Sequence, residues 1–436
     1  MGQAKWTVMA AAVAAIAAQP CASEETAMLT GTAAFGDYTK NAPGVERLIR
    51  AADLPQPYAS ESARNPSKLV PRPADAALHL PPGFTVAPYV TGLATPRQMK
   101  LAPNGDVFLA ESDGKRIRVI RPGQTPGSPP SDSVVFAQGL EYRPYGIAFY
   151  PPGPDPHFLY VANEGQVLRY PYRVGDLVAT GKPEVIVPDV PVGHHWTRDI
   201  VFSPDGKRML VSVGSGDNDG EIGMEKEVRR ADILDYDPNG HDMHVYASGI
   251  RNPVTIAFNP GTNDLWTSVN ERDELGDNLP PDYVTRVTRG GFYGWPWFYI
   301  GGNQDPRHKG ERDELKDKVV VPDVLLQPHS APLGLAFYTG RQFPADYRGS
   351  AFVALHGSWN RAQRTGYKIV RVLIKNGKAT GAYQDFMTGF VAPDGAVWGR
   401  PVGIVMAQDG SLLVSDDGSG TVWRVTYGSD THASAE

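Results

Sequence analysis

Apolar and polar positions along this chain recur as one phrase: an eight-residue apolar frame, a tight turn, then a second apolar run. The first three copies are Pro96 to Pro103 (PRQMKLAP) with NGDVFLAE, Pro144 to Pro151 (PYGIAFYP) with HFLYVANE, and Thr197 to Pro204 (TRDIVFSP) with DGKRMLVSVG. The second three are Pro253 to Pro260 (PVTIAFNP) with DLWTSVNE, Pro332 to Thr339 (PLGLAFYT) with SAFVALHG, and Pro401 to Gln408 (PVGIVMAQ) with DGSLLVSDD. β-Branched and aromatic residues fill the runs and Gly, Pro, Asn and Asp separate them, so each unit reads as two antiparallel strands. The copies recur roughly every 50 to 80 residues, close to the blade period of a propeller with loop insertions. The pattern predicts an all-β fold, a six-bladed β-propeller.

That architecture converts position in the repeat into position in space. With the frame as the innermost strand, its start and the end of the following strand lie on one face, around the central channel. The residues just before the frames are Arg143, His194 and His195, Arg251 and Asn252, His329 and Ser330, and Arg400; the first repeat instead carries Arg97 inside its frame. The second runs end in Glu111, Asn163 and Glu164, Ser215, Asn270 and Glu271, His356, and Asp416 and Asp417. All of these are expected to converge on one axis.

No Gly/Ser or charged linker divides the repeats, so residues 81–430 read as one propeller domain preceded by an N-terminal extension, 24–80. Within the extension, the Pro-rich approach to LPPGFTVAPYV is expected to supply an outer strand of a terminal blade. The 47 Gly and 39 Pro suit a turn-rich all-β chain. A dispersed net charge of -6 points neither to nucleic acid nor to a membrane surface. Lys5, the apolar stretch Trp6 to Ala18 and the small residues around Ala22 predict a signal peptide over 1–23 and export to the periplasm or beyond. No other run approaches the roughly 20 apolar residues of a spanning helix. The single cysteine, Cys21, falls in that segment, so the mature chain has neither an internal disulfide nor a thiolate metal site. Without a Cys-x-x-Cys-His haem motif, electrons from any redox reaction leave through an external carrier.

Arginines and histidines gathered at one channel mouth call for an anion or for compensating carboxylates, and Arg suits bidentate carboxylate recognition. The residues alone leave two readings open: an anionic ligand, or ion pairs of Arg143, Arg251 and Arg400 with acids of neighbouring blades. In His194-His195-Trp196 a neutral imidazole can take the proton of a substrate hydroxyl, and on extended backbone only one of the two adjacent rings reaches the axis. The oxygen-rich run Asn270-Glu271-Arg272-Asp273-Glu274 with Gly276-Asp277-Asn278 suits a hard dication such as calcium, or a solvated acidic turn. His356, Ser358, Trp359 and Arg361 offer a planar ligand an aromatic face, or cap a blade.

Taken in order, HHWTRDIVFSPDGKRMLVSVGSGDN, SGIRNPVTIAFNP, VNERDELGDNLPPD, RGGFYGWP, HSAPLGLAFY, HGSWNR and GRPVGIVMAQDGSLLVSDD resemble the soluble quinoprotein sugar dehydrogenases, in the sorbosone dehydrogenase-like branch. The resemblance covers roughly residues 80 to 428. It implies oxidation of a sugar with pyrroloquinoline quinone (PQQ) and calcium. His195 would be the general base, and Arg251, Asn252, Asn270 and Arg400 would be cofactor contacts. Backbone carbonyls of Glu271 and Arg272 would hold calcium, with Asp277 orienting that site; by location, Arg143, His329, His356 and Arg361 join the cofactor set. Ser215 stands where glucose-oxidising members place an aspartate, and a lysine they use has no equivalent near Gly357 and Ser358. Two other classes are a lactonase-type propeller with a channel metal on Glu111, Asn163, Asn270 and Asp416, and a non-catalytic glycan- or protein-binding propeller.

Overall fold

In a computed structural model that describes residues 28–125 and 127–428, each predicted frame is the inner strand of a blade. The predicted signal peptide, with Cys21, lies outside the described residues. Blade 1 is Pro96–Leu101, Val107–Glu111, Arg116–Arg121 and Asp132–Gln138, and blade 2 is Pro144–Tyr150, Phe158–Asn163, Val167–Pro171 and Glu184–Val187. Blade 3 is Ile200–Phe202, Met209–Val213, Asp232–Tyr236 and His244–Ala247, and blade 4 is Pro253–Phe258, Leu265–Val269, Tyr283–Arg286 and Val324–Leu325. Blade 5 is Pro332–Phe337, Ala351–Leu355, Lys368–Lys375 and Lys378–Met387, with Glu46–Leu48 and Leu29–Thr30 added at its outer edge. Blade 6 is Pro401–Met406, Leu412–Asp416 and Thr421–Tyr427, completed by Phe84–Val90 from the other end of the chain. The six inner strands touch their neighbours in ring order, the last against the first.

Two positions of the frame explain how the ring closes. Its second residue is Tyr145, Val254, Leu333 or Val402 in blades 2, 4, 5 and 6, and these four form one buried cluster, with Trp196 packed on it, that plugs the channel. Its third residue is Gly in blades 2, 5 and 6, and a Cβ there would meet the next blade's backbone. On Gly334 it would lie 2.2 Å from the Val402 carbonyl, and on Gly403 2.4 Å from that of Arg97. The other three blades place Gln98, Asp199 and Thr255 at this position, and the amide of Gln98 donates to both partners. Burial raises Asp199 to about 6.

Aromatic side chains fill the wedges between blades. Phe108, Phe136, Phe149, Tyr170 and Tyr172 pack edge to face between blades 1 and 2. Phe84 of the closing strand touches Phe343, Tyr347, Phe386 and Tyr427, which ties the seam of blade 6 to blade 5. Blade 3 departs from the frame: its inner strand spans only Ile200–Phe202, because Arg198 turns its guanidinium onto the carbonyls of His195, Thr197 and Pro191. No described helix is long and apolar enough to cross a membrane.

Candidate active site

Strand register puts the predicted face together. Pro96 pairs with Glu111, Pro144 with Asn163, Pro253 with Val269, Pro332 with Leu355 and Pro401 with Asp416, and each of these inner strands shifts register just after its proline. Proline at the strand start leaves no N–H where the ladder has yet to begin, and the bulge re-aims the residues beside it. Residues before the frames and after the second strands therefore share one rim. The opposite mouth, a funnel of about 520 Å³, is lined mainly by apolar frame ends such as Leu101, Phe149, Phe202 and Phe258.

His195 stands at this rim beside the end of blade 3's second strand. Its Nδ1 lies 2.9 Å from the carbonyl of Ser215 and 3.0 Å from its hydroxyl. A carbonyl only accepts, and that hydroxyl already donates to the Asp217 carbonyl, so Nδ1 carries the hydrogen and Nε2 keeps its lone pair. Burial, then the charges of Arg251 and His194, push the imidazole well below its ordinary range. It is a neutral base at pH 7 with its ring fixed. His194 is exposed, with its ring 4.8 Å from that of His195, and lines a cleft of about 200 Å³ with Asn218, Arg251, Asp273 and Trp359.

Arg251 is the node of the cleft wall. Its buried guanidinium donates to the carbonyl and Oδ1 of Asn218, to the carbonyls of Asn270 and Glu271, and to Asp273 at 3.2 Å. Asn252 is adjacent; its amide donates to Asn270 Oδ1, and its own Oδ1 is buried with no hydrogen-bond partner among the described residues. Asn270 in turn donates to the Pro332 carbonyl. Glu271 is buried and its carboxyl is raised by burial to about 7, with Oε1 unpartnered among the described residues.

A second group sits across the rim. Two guanidinium groups lie over the Trp196 ring, that of Arg143 4.2 Å from the centroid and that of Arg97 5.0 Å away. Asp417 accepts from Arg97 at 2.7 Å, from Arg400 at 2.9 Å and from His356 at 3.1 Å. Against the pull of burial, these partners hold its carboxyl well below the usual range. Arg143 pairs with Glu164 at 3.3 Å. The arginines of the rim thus carry carboxylate partners, and for the three expected to pair with Glu111, Glu164, Glu271 or Asp416 of neighbouring blades these lie just after the second strand of the same blade: Glu164 for Arg143, Asp273 for Arg251 and Asp417 for Arg400.

Three expected site residues build walls instead of facing the opening. His329 is buried, with Nε2 on the Gly276 carbonyl and Nδ1 3.4 Å from Asp273, which together outweigh burial and raise its pKa. Arg361 donates to Asn278 Oδ1 and to the carbonyls of Phe35 and Gly36. Asp277 accepts from Ala362 N–H. Arg272 sends its side chain to Asp305 and Asp219, and the Glu271 carbonyl accepts from Arg251. Among the described residues no three His, Asp, Glu or Cys side chains are grouped to hold a metal ion. The acids that a lactonase-type centre would recruit are engaged apart: Glu111 with Arg116 and Arg118, and Asp416 with Ser419, Trp423 and the Arg400 amide. Asn218 and Asp273 line the cleft and hold Arg251, and position in the repeat did not select them; the acidic run 270–274 was the only signal for Asp273.

The TrAA12-like family profile matches residues 78–285 and 298–428. A pyrroloquinoline quinone-dependent pyranose dehydrogenase of Coprinopsis cinerea is 28% identical over 408 residues, covering 79% of this chain and 54% of that protein. An uncharacterized protein of Borreliella burgdorferi is 35% identical over 236 residues, covering 53% of this chain and 61% of its own. The chain thus spans 54% to 61% of the length of these curated relatives. Among solved structures, the holo form of the pyranose dehydrogenase PQQ domain from Coprinopsis cinerea superposes with a TM-score of 0.70 at 24% identity, over 82% of this chain and 98% of that one. The PQQ-bound aldose sugar dehydrogenase of Streptomyces coelicolor gives 0.57 at 19%, over 81% and 99%. At these identities the superpositions establish a shared fold. The profile match takes in all six blades and the closing strand, and the chain belongs to the TrAA12-like family.

Proposed function

We propose that this protein oxidises a hydroxyl of a sugar, using PQQ as electron acceptor, with His195 as the base that takes the hydroxyl proton. The observation that carries the reading is the His195 imidazole, neutral and held through Nδ1 by Ser215, so that Nε2 is the proton acceptor beside the Arg251–Asn252 wall. Support comes also from the relatives, a PQQ-dependent pyranose dehydrogenase and PQQ-bound propellers of the same fold.

The residues fit a planar, multiply charged quinone. Asn252 Oδ1 and the Nε–H of Arg97 are buried polar atoms with no hydrogen-bond partner among the described residues, and Arg143 and Arg400 are partly exposed guanidinium groups of the rim. PQQ, when bound, supplies a carbonyl carbon that accepts hydride. Ser215 fixes the imidazole, burial keeps it unprotonated, and Nε2 takes the proton while hydride leaves the same substrate carbon. Arg251 meets a ligand carboxylate by giving up one of its present acceptors. One of those is the Glu271 carbonyl, 2.7 Å away, so a calcium ion held by the carbonyls of Glu271 and Arg272 would take the place of a guanidinium N–H. Asn270 and His356 would brace the ligand's flanks. Electrons then pass to an external acceptor, and residues 81–430 are the catalytic unit of an exported protein.

Reconstitution tests the reading. Purified protein mixed with PQQ and calcium should acquire a bound quinone absorbance that an aldose bleaches. Protein that takes up no quinone at any calcium concentration overturns it.

A further inference from the structure

The loop Glu271 to Asn278 contributes Asp273 and Glu274 to the cleft, yet it has no strand or helix of its own. Its outer turn is fastened by residues upstream of the family match. The amide of Gly276 donates to Ser62 Oγ at 3.0 Å, that of Asp277 to Ser60 Oγ at 2.9 Å, and that of Tyr58 to the Leu275 carbonyl at 2.8 Å. Gly276 takes φ +112°, where a Cβ would also lie 3.0 Å from the Ser60 carbonyl, so loop and strap are in backbone contact. The same strap grips the opposite wall. Asn360 donates to the Ala63 carbonyl at 2.7 Å and accepts from the Glu274 amide at 2.8 Å, while Asn65 N–H donates to the Trp359 carbonyl at 2.7 Å. Arg64 lies 5.6 Å from the Trp359 ring. Asp273 from blade 4 and Trp359 from blade 5, both lining the cleft, are thus set by one segment.

We propose that Tyr58 to Asn65 is a positioning element of the active site, with Ser60 and Ser62 holding the acidic loop in the conformation that lets Asp273 clamp Arg251 and His329. The segment lies before residue 78, where the family match begins. Both serines are exposed, so their hydroxyls contribute to loop order and little to the core. The consequence for ligand binding rests on the quinone reading above.

The experiment uses the full chain with Ser60→Ala/Ser62→Ala, the Thr/Thr pair as rescue, and Glu61→Ala between them as control. Amide hydrogen exchange in the protein without quinone should be about tenfold faster over residues 271–279 in the Ala pair, with the global unfolding midpoint unchanged. The Thr pair should restore protection and Glu61→Ala should leave it intact. Unchanged exchange in the Ala pair overturns the proposal, whether or not the protein binds quinone. With PQQ in saturating calcium, the Ala pair should bind roughly three- to tenfold more weakly, and Thr should restore affinity. Faster exchange with unaltered PQQ affinity overturns the link to the site. Failure of the wild-type protein to bind PQQ sinks the quinone reading alone and leaves the exchange result to decide the strap.

Discussion

At the scale of single residues, the proposed role of His195 is the most directly testable, because its tautomer, its lowered basicity and its position all bear on one proton. His195→Gln keeps a polar side chain and removes the base, so turnover should fall about 100- to 10,000-fold while quinone binding and fold persist. His194→Gln, changing an exposed ring, should do much less; equal turnover in the two variants would refute the assignment. The pH dependence follows with a definite sign. Folded His195 resists protonation below the ordinary imidazole pKa, whereas the unfolded chain takes up its proton near 6.5, so the unfolded state binds more protons in that window. Stability should therefore fall as pH drops below about 6.5, and His195→Gln should flatten that part of the curve in a thermal-melt series against pH. Charge reversal at Arg251 or Arg400 should weaken quinone binding by about 2 to 5 kcal/mol, the usual consequence of leaving a desolvated carboxylate unpaired. Normal affinity in both variants, measured by titration, would remove the cation wall from the ligand site.

At the scale of elements, the propeller rests on glycines that let inner strands meet and on the strand that closes the ring. Gly334→Ala would push a methyl against the Val402 carbonyl and should lower stability by about 1 to 3 kcal/mol, read as an earlier denaturant midpoint. Phe84→Ala empties the aromatic cluster at the seam and should cost about 3 to 5 kcal/mol. These elements were legible in the sequence because a buried inner strand is a continuous apolar run that repeats, and the repeat also marked which residues precede it. Phe84–Val90 could be read as an outer strand from its own pattern, as it proved to be in blade 6. The clasp of Asn218 on Arg251 and the seating of Arg361 under Phe35 and Gly36 were not legible. Such contacts join loops of no periodicity, 33 residues apart in the first case and 326 in the Arg361 to Phe35 bond, through backbone carbonyls that any sequence supplies. The strap carries no signal for the same reason: its hydroxyls and amides follow no pattern. The short inner strand of blade 3 had a weak signal, the adjacent charges of Arg198 and Asp199 at the start of its frame.

At the scale of the whole molecule, the proposed site draws on blades that the chain visits in sequence: Arg143 comes from blade 2, His195 from blade 3, Arg251 and Asn252 from blade 4, and Arg400 from blade 6. The ring is shut by pairing Phe84–Val90 with Thr421–Tyr427, so the outermost strand of blade 6 comes from the other end of the chain and ties the last blade to the first. A ligand touching residues from several blades can bind only when the ring is closed, and its binding energy then opposes opening anywhere around it. Quinone at about 100 times its dissociation constant should therefore raise global stability by about 2.7 kcal/mol, as one cooperative shift of the melting curve. Calcium chelation should remove that shift together with dye-linked turnover, and calcium should restore both. A melt in which quinone protects only part of the transition would mean that the blades unfold separately and that the ligand is held by fewer of them than the rim geometry implies.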